Sequence, residues 1–270
     1  MRPYFFVFDL DGTLLDDDKH LKEDVKTMFD RLRLLGHETF VATGRALEIT
    51  QPYLDYLGLS NHCILNNGAV IRDLSHHKNI RETGISDADI AGTIGYLEAH
   101  HIAYSVSTNE ALYTTEDYEL GYYDRFKKMF PDYPLPNHQG ARIEDIRGKT
   151  VYKILAQFKS EASLETTRKA LRERIDATVT QSMEMYLSIL PAGITKGGTL
   201  KKYMDDRHIS VDRLVVFGDN DNDVEMLKLS SHSYAMINGS KNAKAAAAHV
   251  TLKDNNHLGV LEMVSKYVPL

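Results

Sequence analysis

The fold is decided by residues 4–13, which read YFFVFDLDGT. The first five, residues 4–8, are aromatic or β-branched and uncharged, which predicts a strand buried on both faces of a parallel sheet. Two carboxylates, Asp9 and Asp11, follow directly, and Gly12 lets the chain turn away from the strand. Open α/β sheets bind ligands beyond the carboxyl ends of their strands, so we predict that a functional site begins at Asp9.

The spacing of Asp9 and Asp11 predicts a nucleophile and an acid/base. If the backbone stays extended, alternate side chains point the same way, so both carboxylates face one cavity. Asp9 can attack phosphorus to form an aspartyl-phosphate, while Asp11 first protonates the leaving oxygen and then deprotonates water. The competing interpretations are a polar turn or a calcium loop. A helix-loop-helix calcium loop needs Glu at position 20, where this chain has His20.

A second predicted strand, residues 39–42, runs into Thr43-Gly44-Arg45. The hydroxyl of Thr43 can donate to a phosphoryl oxygen, and Gly44 allows the backbone to approach closely. Arg45 is expected to open a helix that runs to about position 57. There it is either a solvated arginine of the first turn or a substrate contact.

A third strand, residues 214–217, precedes the run Gly-Asp-Asn-Asp-Asn-Asp at 218–223. Two unit charges about 5 Å apart at an effective dielectric of about 20 repel by roughly 3 kcal/mol, so this cluster requires a cation. Hard oxygen ligands beside a substrate phosphate favour Mg²⁺. We predict that Asp219 binds it, that Asp223 supports that ligand and that Asn222 donates to phosphate. Asp221 is expected to be solvated or to cap a helix.

Lys196 precedes a predicted helix that runs to about position 208. The neighbouring glycines do not form a P-loop, because Gly-x-x-x-x-Gly-Lys-Ser/Thr is absent from the sequence. A lysine at a helix amino terminus is unfavourable for the helix dipole unless it has an anionic partner. We predict that Lys196 pairs with Asp9 and with phosphate.

In order and in position at strand ends, these segments resemble the haloacid dehalogenase superfamily of phosphotransferases, and more narrowly its Cof-type subfamily of sugar-phosphate and cofactor-phosphate phosphatases. The resemblance covers essentially the whole chain. It implies that Asp9 is the nucleophile, that Asp11 is the acid/base and that the backbone carbonyl of Asp11 is a further metal ligand. The predicted site residues are, for catalysis, Asp9, Asp11 and Lys196; for phosphate, Gly12, Thr43, Gly44, Arg45, Lys196 and Asn222; for magnesium, Asp9, Asp11 and Asp219, supported by Asp223.

The subfamily also carries an Asn-Gly-Ala stretch and a Met-x-Asn stretch, found here at residues 67–69 and 236–238. Two departures stand out. Relatives often read Glu-Asp-Gly-Val where this chain reads His-Leu-Gly-Val at 257–260, and the residue after Asn238, commonly Ala, is Gly239. Both departures leave the predicted catalytic residues intact.

The remaining sequence predicts an inserted domain. Residues 84–189 lack all of these motifs but carry their own helix and strand patterns, so we predict an α+β cap inserted into a core of residues 1–83 and 190–270. The core is expected to be α/β, with a doubly wound, mostly parallel, Rossmann-like sheet. Predicted cap helices cover 87–100 and 160–174, and predicted cap strands cover 103–107, 111–115, 151–158, 177–181 and 185–190.

Composition restricts the partners. The 270 residues are 43% hydrophobic and carry a formal charge of -6 without a basic stripe, which argues against nucleic-acid binding. The start of the sequence lacks a signal-peptide pattern, and the apolar runs are too short for a membrane helix, so we expect a cytoplasmic protein. The expected partner is a small-molecule phosphate ester.

Three other functions are compatible with some of these features. A phosphomutase would use the same nucleophile but return the phosphoryl group to a sugar. A signalling receiver that accepts phosphate is about half as long and does not need Asp11. A non-catalytic sugar-phosphate sensor would not need the complete set of reacting groups. The identity of the substrate is left open.

Overall fold

The computed structural model describes residues 3–119, 121–183 and 185–269. Its strands are β1 (Phe5–Phe8), β2 (Glu38–Ala42), β3 (His62–Leu65), β4 (Val70–Asp73), β5 (Lys78–Glu82), β6 (Tyr104–Thr108), β7 (Leu112–Thr114), β8 (Asn137–Gln139), β9 (Val151–Gln157), β10 (Thr178–Met183), β11 (Tyr186–Leu190), β12 (Leu214–Gly218), β13 (His232–Ala235) and β14 (His249–Val250). Its α-helices are α1 (Glu23–Leu34), α2 (Gln51–Leu57), α3 (Asp87–Ala99), α4 (Gly121–Met129), α5 (Glu161–Arg172), α6 (Lys196–Asp206), α7 (Val224–Leu227), α8 (Lys241–Ala246) and α9 (Gly259–Val264).

An eight-stranded sheet has the order β14-β13-β12-β1-β2-β3-β4-β5. Strand β1 lies inside it and pairs in parallel with both β12 and β2. The pairs β12–β13, β13–β14 and β2–β3 are also parallel, whereas β3–β4 is antiparallel. The predicted α/β class with a mostly parallel sheet is confirmed. From β1 the strands follow in chain order outward in both directions, with β2 on one side and β12 on the other. Sheets of this kind form a crevice for ligands at the strand where the two directions meet.

The strand β1 is apolar because both of its faces are covered. All four of its side chains are fully buried, and Phe8 stacks on Phe217 of β12 with ring centroids 5.2 Å apart. Full burial of one such side chain contributes about 1.5–3 kcal/mol. Helix α1 contributes Val25, Met28 and Leu32 to the interior, which is the spacing of one helical face. The central strand is therefore firmly held where its carboxyl end meets the site.

The chain forms two compact units, one of Met1–Gly44, Tyr53–Ile80 and Thr195–Leu270, and one of Arg45–Pro52 and Arg81–Ile194. The second unit contains a six-stranded sheet in the order β10-β11-β9-β6-β7-β8. Neighbouring strands in this sheet are antiparallel except for the parallel pair β7–β8. Residues of α3 and α5 share a core with β6, β9, β10 and β11. This unit is α+β, and its role as a cap stays a prediction.

The prediction that a helix begins at Arg45 is wrong for the first half of that helix. The structure has a 3₁₀ turn at Leu47–Ile49, and the α-helix begins only at Gln51. Proline explains the interruption, because a continuous helix would bring the ring of Pro52 against the carbonyl four residues earlier. In the first turn of α2 the missing N–H of this proline costs nothing. Arg45 is consequently placed in irregular backbone before that turn.

None of the helices in the described part of the chain combines the length and apolar character needed to span a bilayer.

Candidate active site

Asp9 lies at the carboxyl end of the central strand. Its amide continues the sheet by donating to the carbonyl of Phe217 at 3.1 Å, and the backbone then turns at Leu10, whose carbonyl accepts from the amide of Leu14 at 3.0 Å. The backbone is therefore not extended as far as Asp11. The two carboxylates differ in exposure as a result: the side chain of Asp9 is 7% exposed and that of Asp11 is 41% exposed.

Gly12 lies so close to the carboxylate of Asp219 that no side chain fits at this position. Its φ is +71°, and a Cβ atom at this position would lie 2.4 Å from Oδ2 of Asp219. Only glycine tolerates both the left-handed backbone and the neighbouring carboxylate. The next residue, Thr13, donates its hydroxyl to Oδ1 of Asp219 at 3.3 Å. The turn after β1 and the loop after β12 are thus in direct contact.

Lys196 is the first residue of α6 and is almost completely buried. Its Nζ donates to Oδ1 of Asp9 at 2.7 Å and to Oδ1 of Asp223 at 2.5 Å. Burial alone would lower the pKa of Lys196, but the carboxylates of Asp223 and Asp9 reverse this and hold the pKa above its ordinary value. The side chain of Thr195 caps the helix by accepting from the amide of Gly198 at 3.0 Å. The lysine is held as a charged partner of Asp9.

Asp223 fixes the loop that carries Asp219. Its Oδ2 accepts from the amides of Asp219 at 2.9 Å and Asn220 at 3.1 Å, while Oδ1 binds Lys196. Gly218 is needed beside it, because a Cβ there would lie 2.6 Å from the Cβ of Asp223. In contrast, Asp221 is exposed and accepts from the side chains of Ser240 and Asn242 at the start of α8. Of the two roles predicted for it, this agrees with the solvated one, because Asn220 and Ser240 cap the neighbouring helices.

Carboxylates are crowded here. Ligand atoms of Asp9, Asp219 and Asp223 lie within 4.8 Å of one another. Burial raises the pKa of Asp9 to about 7. The positive charge of Lys196 lowers this pKa only in part, and the negative charges of Asp223 and Asp11 raise it further. Burial, with the charges of Asp9 and Asp223, raises the pKa of Asp219 to about 9. A second cation beside Lys196 would relieve this repulsion, and carboxylate oxygens suit a hard divalent ion. The donor set therefore fits a hard divalent cation.

The segment after β2 is joined to two asparagines. The carbonyl of Thr43 accepts from the amide of Asn67 at 3.0 Å, and a Cβ on Gly44 would lie 2.8 Å from Oδ1 of Asn67. The same Oδ1 accepts from Nδ2 of Asn222 at 2.9 Å. Asn67 has a φ of +55°, a conformation that asparagine tolerates better than most residues. The structure therefore brings together Thr43, Gly44 and Asn222, whereas Arg45 belongs to the second unit and its phosphate contact stays a prediction.

Residues near the carboxyl terminus tie down the turn after β1. Nδ2 of Asn238 donates to the carbonyl of Gly12 at 2.9 Å, and Oδ1 of Asn238 accepts from the amide of Asn255 at 3.2 Å. Asn255 in turn donates to the carbonyl of Leu15 at 2.9 Å. Sequence reasoning missed Asn255, because an asparagine in a polar stretch gives no indication that it is buried.

The sequence departures have a local explanation in one case. A Cβ on Gly239 would lie 2.6 Å from the carbonyl oxygen of Asp219, so glycine fits this close approach. At the other departure, Leu258 has a φ of +61°, which is unusual for leucine. Nothing in the structure explains the leucine.

The sequence is similar to known proteins over nearly its whole length. Residues 6–264 match the family described as haloacid dehalogenase-like hydrolase. YitU of Bacillus subtilis, named a 5-amino-6-(5-phospho-D-ribitylamino)uracil phosphatase, is 27% identical over 277 residues that cover 100% of this chain and 99% of its own. YbhA of Escherichia coli, named a pyridoxal phosphate phosphatase, is 25% identical over 275 residues that cover 99% of this chain and 100% of its own.

Solved structures show the same fold. A crystal structure from Thermotoga maritima superposes with a TM-score of 0.79 at 26% identity and covers 99% of this chain and 98% of its own. A haloacid dehalogenase-like hydrolase from B. subtilis gives a TM-score of 0.84 at 24% identity, with coverage of 99% and 100%. The predicted resemblance is confirmed. Because the family match spans nearly the whole sequence, this chain belongs to the haloacid dehalogenase-like hydrolases.

Proposed function

We propose that this hydrolase is a magnesium-dependent phosphatase that hydrolyses small phosphate monoesters through an aspartyl-phosphate intermediate. The observation that carries the proposal is the environment of Asp9. Its carboxylate lies at the carboxyl end of the central strand, is bound by the buried Lys196 and has the carboxylate of Asp219 close by. A carboxylate held beside a fixed cation is suited to attack an anionic phosphate ester, because the cation offsets the repulsion between the reactants.

The chain's own residues account for both steps. A carboxylate oxygen of Asp9 attacks phosphorus, a P–O bond to it forms, and the P–O bond to the leaving alkoxide breaks while Asp11 gives that oxygen its proton. Asp11, now ionised, takes a proton from water, whose oxygen attacks the phosphorus. The bond to Asp9 then breaks and inorganic phosphate leaves. Lys196 holds positive charge at Asp9 throughout, and Thr43, Gly44 and Asn222, with Gly12 and Arg45, are proposed to contact the phosphoryl oxygens.

Magnesium would be held by Asp9, Asp219 and the backbone carbonyl of Asp11, with Asp223 fixing the loop of Asp219. When bound, the ion supplies positive charge that offsets the charges of the carboxylates and of the phosphoryl group. Oxygen donors of this kind favour hard ions over the softer metals that bind sulfur or imidazole.

Stability should depend on pH in a way that reports this site. The folded state raises the pKa of Asp9 from 3.8 to about 7 and the pKa of Asp219 from 3.8 to about 9. Between these values and 3.8, the folded protein therefore binds more protons than the unfolded chain. The metal-free protein should therefore lose stability as the pH rises from about 5 to about 9. Magnesium competes with these protons, so its stabilising effect should grow with pH. Thermal unfolding with magnesium or with chelator tests this, and Asp219→Asn should flatten the decline. A magnesium effect that is the same at both ends of the range would contradict the site.

Gly12→Ala should impair magnesium binding beyond any general loss of stability. Gly36 offers a matched control, because its φ of +79° is similar and a Cβ there would meet nothing within 4 Å. Both alanine variants should lose about 1 kcal/mol of unfolding free energy from the left-handed backbone. Only Gly12→Ala displaces the carboxylate of Asp219, so only it should weaken magnesium affinity in calorimetry and lower turnover. Equal magnesium affinity in the two variants would refute the role given to this contact.

The experiment that tests the function is phosphate release from a panel of sugar phosphates, nucleotides, flavin mononucleotide and pyridoxal phosphate, with magnesium and with chelator. The names of the relatives YitU and YbhA suggest cofactor precursors and cofactors as the first substrates to try. Release that requires magnesium supports the proposal. Transfer to a sugar without free phosphate would indicate a phosphomutase, and binding without turnover would indicate a sensor.

A further inference from the structure

A tight hairpin turn, residues 16–20, follows the turn after β1. The amide of Asp16 donates to the carbonyl of His20 at 3.1 Å, and the amide of Lys19 donates back to the carbonyl of Asp16 at 2.9 Å. Lys19 takes the left-handed position of this hairpin, with a φ of +68°. Glycine or asparagine would adopt this conformation more readily, so local backbone preference does not explain a lysine here.

The hairpin is held in place from two directions. The hydroxyl of Tyr53, a buried residue, donates to the carbonyl of Lys19 at 3.0 Å. Asp17 binds two neighbouring side chains, accepting from Asn255 at 3.1 Å and from Asn256 at 3.0 Å. The amide of Asp17 also donates to Asn256 at 3.1 Å. These contacts fix the backbone from which the Lys19 side chain extends.

From this fixed backbone, the side chain of Lys19 reaches Asp11, the predicted acid/base. Nζ of Lys19 lies 3.0 Å from Oδ1 of Asp11, and the two side chains are 28% and 41% exposed. An ion pair this exposed contributes little to stability, because water screens it and two side chains must be ordered. The unfavourable backbone at Lys19 opposes even that small gain. Stability therefore does not account for the lysine, and backbone strain that persists beside a reacting group points to function.

We propose that Lys19 is a positioning residue, which acts by holding the carboxyl group of Asp11 in the orientation needed for proton transfer to the leaving oxygen. The inference rests on the proposed phosphatase function. Proton transfer depends steeply on geometry, and the contact with Lys19 restricts the rotamers of a carboxyl group that is 41% exposed. Lys19 thus gives Asp11 the fixed orientation that burial gives Asp9.

The first measurement compares Lys19→Met with Lys19→Arg on two substrates. An alkyl phosphate has a leaving oxygen that needs a proton, whereas p-nitrophenolate leaves without one. Lys19→Met should lower kcat for the alkyl ester about tenfold, change KM less than about twofold and affect the p-nitrophenyl ester less. Lys19→Arg should retain most of the activity. The control is Lys202→Met, since Lys202 forms an ion pair of the same 3.0 Å with Asp206 on the surface of α6, and it should match the wild type.

A double-mutant cycle separates action through Asp11 from direct contact with substrate. In the Asp11→Asn background, Lys19→Met should cause no further loss of kcat. Lys19→Gly, which relieves the left-handed backbone, should unfold at an equal or higher denaturant concentration than the wild type and yet lose as much kcat as Lys19→Met. The proposal is overturned if Lys19→Met keeps wild-type kcat on the alkyl ester, or if its loss is undiminished in the Asp11→Asn background. A wild-type protein that releases no phosphate from any ester would instead overturn the proposed function, and this inference with it.

Discussion

Asp9→Asn should abolish phosphate release, lowering kcat by more than about 10³-fold, or ~4 kcal/mol of activation free energy, while the protein stays folded. The amide has nearly the shape of the carboxylate but is a poor nucleophile, so the covalent intermediate cannot form. The substitution also removes one of three crowded carboxylates, and the buried Lys196 keeps its ion pair with Asp223. The metal-free variant should therefore be at least as stable as the wild type in thermal unfolding.

Asp221→Asn serves as the control for this prediction, because Asp221 belongs to the same acidic run but binds Ser240 and Asn242 instead of Lys196. It should retain wild-type turnover. Trapping phosphate on the protein with a slowly hydrolysed ester provides the second readout, since Asp9→Asn should carry no label. Turnover of Asp9→Asn within about tenfold of the wild type, 1.4 kcal/mol, would rule out Asp9 as the nucleophile.

Lys196→Met should have the second largest effect, on stability as well as on activity. Its ammonium group is the buried cation that Asp9 and Asp223 share, at 2.7 Å and 2.5 Å. Removing one partner of a buried ion pair leaves uncompensated charge and costs about 3–5 kcal/mol of unfolding free energy. Urea unfolding of the metal-free protein measures that loss. Part of it should be recovered as the pH falls, because the two carboxylates, without the cation, then fold in their protonated form.

Lys201→Met is the matched variant for Lys196→Met, because Lys201 pairs with Asp205 on the exposed face of the same helix. Its loss should stay below about 1 kcal/mol. The double substitution Lys196→Met with Asp223→Asn should regain stability by removing one stranded charge. If Lys196→Met is as stable as Lys201→Met at neutral pH, the buried ion pairs do not have the energetic role assigned to them.

The sequence predicted the strands at the centre of the main sheet because their burial leaves a plain pattern. Residues 5–8 and 214–217 are uninterrupted apolar runs, and both are completely buried strands in the structure. The start of the helix near Arg45 was predicted wrongly, because the prediction did not take account of Pro52, which keeps the α-helix from extending further back than Gln51. At the edge, β5 has no apolar run to reveal it, since Lys78–Glu82 is half-exposed and mostly polar.

At the candidate site, too, some residues have a plain sequence pattern and others have none. The side chains proposed to react or to bind metal stand in short motifs, so the sequence predicted Asp9, Lys196 and Asp219 as site residues. The structure places these three side chains close together. The groups that hold them were harder to find, because their partners lie far away in the chain. Asn255 reaches the carbonyl of Leu15 across 240 positions, and nothing near either residue indicates the pair. Lys19 was missed because its function depends on a backbone conformation that lysine rarely adopts.

The position of β1 in the sheet also bears on how the chain folds during synthesis. This strand leaves the ribosome well before its partner β12, which is not complete until Gly218 has been made. The strands of the second unit's sheet all lie between Tyr104 and Leu190, so that sheet can form while the first strand still lacks one neighbour. Such distant pairing slows folding and leaves an apolar strand exposed on the nascent chain. Chaperone binding to ribosome-held chains should therefore persist until β12 has emerged.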